Sequence, residues 1–404
     1  MRIQALLTGA ALFLTSITSS QAETAVKVAF LYDFSGLYAD VGGPGGAVAA
    51  RMAVEDFGAG KGVRAEVVWA DHQNKPDVAV NIVRQWYDQD GVDAVFGIGN
   101  SGIALAVSAL TREKNKVLID TGSATSDLTG AKCSPNTIHW TYDTWELAHG
   151  TGSATVKAGG ATWFFITADY AFGASLERDT AAVVKAEGGQ VLGGVKHPLS
   201  AQDFSSYLLS AQASGAKVIG LANTGGDSIN AIKQAAEFGV VQGGQKLAGL
   251  LMFITDIHSL GLKTAQGLVL TSPFYWDLNE GTRAWSDRFF KATGRRPTMV
   301  QAGTYSGVLH YLKAVSAVGS AKDASKVIAK MKEMPAEDPL FGKSTVRADG
   351  RVIHDSYLFE VKKPEESKGP WDYYKLISVT PAEKAFRPIS EGGCPLVTGK
   401  ITSR

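Results

Sequence analysis

The residues best suited to gripping a small anion lie in one run, Asp120-Thr121-Gly122-Ser123-Ala124-Thr125-Ser126-Asp127-Leu128-Thr129, which follows the apolar strand Val117 to Ile119. Small residues let backbone N–H groups approach a ligand, and Ser123 and Thr125 add hydroxyls, so the loop could hold a carboxylate without a full positive charge. Clusters of Ser, Thr and Asp after a strand also serve as plain turns and helix caps. Two further loops carry the same chemistry, Phe34-Ser35-Gly36 and Asn100-Ser101-Gly102.

Positioning these loops requires strands that end beneath them. Ala25 to Tyr32, Arg64 to Ala70, Ala94 to Ile98 and Val117 to Ile119 read as strands, separated by helices over Ala47 to Phe57, Pro76 to Gln89 and Ile103 to Lys114. Alternation of this kind predicts a parallel sheet covered on both faces, whose ligands gather beyond the carboxyl ends of the strands. The alternation resumes with strands at Thr162 to Thr167, Gly194 to His197, Val218 to Ala222, Leu247 to Phe253 and Gly267 to Thr271. Helices at Ala174 to Glu187, Phe204 to Ser214 and Asp227 to Phe238 lie between them. Loops Asp169 to Gly173, Asn223 to Asp227 and Thr255-Asp256 then offer aromatic rings and acids as a facing wall. Tyr170, Phe172, Tyr275 and Trp276 are candidates to stack on a ring. Trp145, Trp163 and Phe165 sit in or beside apolar runs and are expected in the core.

The chain of 404 residues has a hydrophobic content of 45%, a charged content of 20% and a net charge of +1, which argues against a nucleic-acid binder. Met1-Arg2, the apolar run Ala5 to Ile17 and Ser20-Gln21-Ala22 read as a signal peptide cleaved after Ala22, too short to span a bilayer at ~20 residues. A soluble periplasmic product is expected, not inserted in the membrane. The remaining length exceeds a single core and predicts two lobes. We expect residues 1–22 as signal peptide, 23–145 with 273–346 as the first lobe, and 146–272 with 347–404 as the second. Cys133 and Cys394, the only cysteines, are expected to form one disulfide in an exported protein.

Enzymatic readings fail on the motifs. Gly99-Asn100-Ser101-Gly102-Ile103 lacks the final glycine of a nucleophile elbow, Gly42 to Gly46 departs from the dinucleotide fingerprint, and there is no Walker lysine motif. The seven histidines are scattered, none at His-x-x-x-His spacing, so neither a metal nor a cofactor is expected.

Asp33-Phe34-Ser35-Gly36, the glycine-rich turn, Ser123 to Thr129 and Asp169-Tyr170-Ala171-Phe172-Gly173, in this order after a signal peptide, resemble the periplasmic leucine/isoleucine/valine-binding proteins, type I receptors of ABC importers. The likeness extends over nearly the whole mature chain, including Gly294-Arg295-Arg296-Pro297 and the helix after it. It implies an α/β, type I periplasmic-binding-protein fold, two doubly wound parallel-sheet lobes joined by a three-crossing hinge. It also implies transport, not catalysis: a monomer that captures an amino acid by hinge closure and meets an inner-membrane ABC permease. In such proteins the loop matching Ser123, Ala124 and Thr125 holds the α-carboxylate, with a hydroxyl from the loop matching Asn100-Ser101. An aromatic matching Tyr170 or Phe172 closes over the ligand, and an acid matching Asp227 or Asp256 receives the ammonium. Ser35, Asn223 and Tyr275 complete the expected contacts. Two positions depart from the pattern: Asp256 stands where a Glu is usual, and Val41 where many relatives carry an aromatic. Similar proteins serve aromatic carboxylates, short amides and urea, and the same fold serves signalling receptors, so these remain alternatives.

Overall fold

The computed structural model describes residues 23–58 and 61–399; the segment read as a signal peptide lies outside the described residues. The first sheet is parallel, with β1 (Thr24–Tyr32) between β2 (Val63–Asp71) and β3 (Ala94–Gly97), followed by β4 (Val117–Asp120) and β5 (Thr137–His139). β3 and β4 are buried at every residue, as a strand covered on both faces demands, and their apolar runs are correspondingly uninterrupted. β5 is the strand that sequence reading passed over. Three residues, two of them polar, carry no usable period, and only pairing to β4 defines it.

A second parallel sheet has the order β7 (Gln190–His197), β6 (Thr162–Ala168), β8 (Val218–Ala222), β9 (Lys246–Gly249). β9 stops earlier than the expected Leu247 to Phe253. The apolar run continues, but Leu250 to Phe253 leave the sheet and lead into the helix Ile254–Leu260. Beside this sheet lies an antiparallel one, β10 (Val269–Ser272) paired with β14 (Ser356–Val361) and β14 with β15 (Tyr374–Thr380). Phe359, Val361 and Leu270 pack in one core with Phe164 and Ile166 of β6.

Between them the chain returns to the first sheet. The helix Met299–Val318 is buried over most of its length, starts at Thr298, whose hydroxyl accepts from Gln301 N, and sends the same hydroxyl to the Val41 carbonyl at 2.6 Å. The meander β11 (Ala336–Asp338), β12 (Gly342–Val346) and β13 (Val352–Ile353) follows, and Arg351 forms a parallel bridge with His139. Residues 347–353, assigned from sequence to the second lobe, therefore stand beside the first sheet. The tail also returns there: Arg387 donates to the Ser126 carbonyl at 2.8 Å, and Cys133 and Cys394 are bonded with Cα atoms 5.6 Å apart. Trp163 and Phe165 are core residues, whereas Trp145 is half-buried and stacked on His149. No helix among the described residues is long and apolar enough to cross a membrane.

Candidate functional site

Loops from both sheets meet at the carboxyl ends of their strands. After β1, the Asp33 carboxylate accepts from Gly36 N at 2.8 Å and Tyr38 N at 3.0 Å, which folds the loop so that the Tyr38 side chain turns inward. After β3, Asn100 caps the helix Ser101–Glu113 by accepting from Gly102 N and Ile103 N. After β4, Asp120 accepts from Gly122 N at 3.1 Å and Ser123 N at 2.9 Å, and the Ser123 hydroxyl donates to its other oxygen. The opposite wall comes from Tyr170 and Phe172, Thr224, Leu251 and Phe253; Tyr142 enters from the chain crossing and donates to the Gly122 carbonyl at 2.7 Å.

These groups surround a narrow cavity of about 10 Å³, lined by Tyr32, Tyr38, Tyr142, Tyr170, Phe172 and Phe253 together with Val41, Gly99, Gly122, Ala124, Thr224 and Leu251. Tyr38 and Tyr170 join hydroxyls across it at 2.6 Å. No charged side chain is in the lining. An outer recess of about 200 Å³ shares Val41 with the cavity and carries Asp40, Thr255, Asp256 and Ser259.

Of the residues expected from sequence, Ala124, Tyr170 and Phe172 line the cavity. Ser101, Ser123 and Thr125 neighbour the lining without joining it: the Ser101 hydroxyl accepts from Ala124 N at 3.3 Å and Thr125 N at 3.2 Å, and the Thr125 hydroxyl meets Ser175 at 2.7 Å. Asp256 lies in the outer recess, where its carboxylate accepts from Phe253 N at 2.9 Å. The others are held elsewhere. Ser35 is exposed and bonded to Asp71 at 2.6 Å; Asn100 is a helix cap bonded also to Asn74; Asn223 is engaged by His197 and Ser228. Asp227 accepts from Ser200 N at 3.2 Å, and the Tyr275 hydroxyl donates to the Trp371 carbonyl in a separate pocket with Tyr374 and Met299. Sequence reading missed Tyr32, Tyr38, Tyr142, Leu251 and Phe253 as wall residues. Their signal was position alone: Tyr32 is the last residue of its strand, and Tyr38 falls two residues after the loop already singled out.

Electrostatics around the cavity are set by buried acids. Burial pushes Asp120 and Asp256 up to about 7 and Asp227 to about 6, against the N–H groups that favour their ionised forms. Glu146, near the crossing, is pushed by burial to about 8, while burial lowers His72 and His354 to about 4 and His139 to about 3. An acid whose folded value lies above its unfolded one favours the folded state while protonated, and this stabilisation is lost as pH rises through the folded value. The histidines act oppositely, but below about pH 7.5, where the unfolded chain starts to bind their protons. Between about pH 7.5 and 8.5 the acids act alone, so the ligand-free protein should melt at lower temperature at about pH 8.5 than at about pH 7.5. Calorimetry at constant ionic strength checks this; a melting temperature that rises over the same interval would contradict these protonation states.

A family model described as periplasmic binding protein matches residues 25–369. The chain is similar to a periplasmic binding protein from Burkholderia mallei, with 53% identity and a TM-score of 0.90 over 92% of this chain and 99% of that one. It is similar to a branched chain amino acid ABC transporter periplasmic ligand-binding protein from Burkholderia xenovorans LB400, at 41% identity and a TM-score of 0.81, with 92% and 99% covered. Leu/Ile/Val-binding protein homolog 6 of Brucella melitensis is 25% identical over 370 residues, 89% of this chain and 93% of that protein.

Proposed function

The chain belongs to the periplasmic binding protein family, and from that premise we propose that it captures a small carboxylate-bearing solute, an amino acid before any other, by closing its two lobes over it. The family supplies substrate-binding components of ABC transporters rather than enzymes, its members work in the periplasm, and the fold here is the type I arrangement. The observation that carries the reading is the cavity itself. It lies where loops at the carboxyl ends of two parallel sheets face each other, with Ala124 in its lining, the Ser101 hydroxyl bonded to the N–H groups of Ala124 and Thr125 beside it, and aromatic rings on its walls. In this reading the ligand's carboxylate takes over the N–H groups that now donate to Ser101. The ammonium looks toward the outer recess, where Asp256 is the acid at hand.

Mechanism follows from linkage. Tyr38 and Tyr170 come from opposite walls, and a solute held between them contacts both only in the closed form. It therefore binds that form better and shifts the population toward it, and an inner-membrane permease would recognise the closed shape of the monomer. The relative from Burkholderia xenovorans, named for branched chain amino acids, supports an aliphatic amino acid. The six aromatic rings favour a second reading, an aromatic carboxylate stacked between Tyr170 and Phe172.

A thermal-shift screen of refolded, ligand-stripped protein separates the two. At a concentration about a hundredfold above Kd a ligand adds about 2.7 kcal/mol to folded-state stability, enough for a clear rise in melting temperature. Aliphatic amino acids are expected to produce it. A rise with benzoates alone would replace the first reading by the second, and no rise with either would remove both.

A further inference from the structure

We propose that the Tyr32 hydroxyl is a ligand contact, donating a hydrogen bond to an acceptor oxygen of the captured solute at the closed end of the inner cavity. The inference rests on the reading of this cavity as the capture site and adds a specificity-determining residue to it.

Tyr32 ends β1, which pairs with a neighbour on both sides, so its position is among the most firmly held in the first sheet. Its side chain is fully buried, with the ring stacked on Phe30 at 5.7 Å. The other polar side chains of the lining are satisfied within the protein. Tyr38 and Tyr170 bond each other, Tyr142 donates to the Gly122 carbonyl, and Thr224 donates to the Leu251 carbonyl at 3.0 Å. Among the described residues the Tyr32 hydroxyl, unlike those of Tyr38, Tyr142, Tyr170 and Thr224, takes part in no side-chain hydrogen bond. Most polar groups in native interiors are paired, and one at a cavity wall is free to pair with a solute.

The surroundings of the ring are built for a phenol. A Cβ at Gly42 would stand 2.4 Å from Tyr32 Cζ, one at Gly99 2.6 Å from the hydroxyl oxygen, and one at Gly122 2.6 Å from Cε2. Three glycines on three separate loops thus make room for the end of one side chain. Gly99 and Gly122 themselves line the cavity, so the hydroxyl emerges between the two loops whose neighbouring residues supply Ser101 and Ala124. Burial holds the phenol well above its ordinary value, with Asp120 and Asp33 adding to the effect, so it remains protonated and serves as a donor. The complementary ligand group is a carboxylate or an amide carbonyl. By filling this end of the site, the Tyr32 ring also narrows the space left for a solute.

Tyr32→Phe keeps the ring and removes only the donor. Isothermal titration of ligand-stripped wild type and Tyr32→Phe with L-valine, L-leucine, benzoate and propionamide tests the assignment. Any of these probes that binds the wild type is expected to bind Tyr32→Phe about ten- to a hundredfold more weakly, the range for losing a hydrogen bond to a charged or strongly polar acceptor. The melting temperature of the ligand-free variant should match or exceed that of the wild type, because no protein hydrogen bond is lost. Equal affinities would overturn the proposal and leave the capture site standing. Absence of binding by the wild type to all four probes would remove the capture-site reading and the proposal with it.

Discussion

Arg351→Met is expected to lower folding stability by about 3–5 kcal/mol, the cost of removing one partner from a buried charged cluster. Arg351 is fully buried where the chain passes between the two halves. Its Nη2 donates to the carbonyls of Trp140 and Thr141 at 3.2 and 2.7 Å, its Nε donates to the Val352 carbonyl at 3.0 Å, and Nη1 stands 3.6 Å from Asp143. The guanidinium also lies 4.1 Å from the centre of the Phe386 ring, which belongs to the returning tail. One side chain therefore joins the first crossing, the end of the meander and the tail. Burial alone would raise Asp143, and the Arg351 charge offsets this so that it sits below its usual value; without the arginine an uncompensated carboxylate remains. Lysine is no substitute, because a single ammonium cannot reach three carbonyls in different directions as the planar fork does. Urea denaturation of Arg351→Met and Arg351→Lys checks this. A loss under about 1 kcal/mol, the worth of an exposed pair, would mean that methionine packs well enough to replace the network.

Removal of the disulfide is the second large effect. Cys133→Ser with Cys394→Ser should cost about 2–5 kcal/mol, since the bond closes a loop spanning a sequence separation of 261 and restrains the unfolded chain accordingly. Its local role is as important. Cys133 follows a loop that lines the cavity, and the tail that it anchors brings Arg387 to the Ser126 carbonyl and to Arg347, whose Nη1 donates to the Arg387 carbonyl at 2.7 Å. Thermal melts with and without dithiothreitol separate the covalent contribution from side-chain effects. Reductant should lower the melting temperature of the wild type and leave the double variant unchanged. A wild type indifferent to reductant would show that the tail's noncovalent contacts suffice.

The parallel architecture was legible in the chain because its strands are short apolar runs closed by small or polar loops. Val218–Ala222 was read to the residue, since an apolar run bounded by turn residues leaves little choice of strand ends. Leu247 to Phe253 was read too long because a continuous apolar run looks the same whether it stays in a sheet or turns to line a cavity. The loops around the cavity were found for a comparable reason: hydroxyls and glycines after a strand mark a place where backbone is exposed. Which polar side chain stands next to the cavity was not legible. Ser35 and Asn100 match the chemistry as well as Ser101 does, yet Asp71 engages one and a helix terminus the other, while Ser101 bonds the backbone of the lining residue Ala124.

By itself the sequence determined the alternation of strand and helix, the side of each sheet on which loops gather, and the pairing of its two cysteines, because these depend on local periodicity, strand polarity and a count of two. Tertiary structure alone decided that the wall is built of Tyr32, Tyr38, Tyr142 and Tyr170, that three glycines accommodate one phenol, and that residues 347–353 stand beside the first sheet. Those outcomes depend on contacts between residues tens to hundreds of positions apart, and a tyrosine at a strand end looks the same in sequence whether a neighbour satisfies its hydroxyl or a cavity leaves it open.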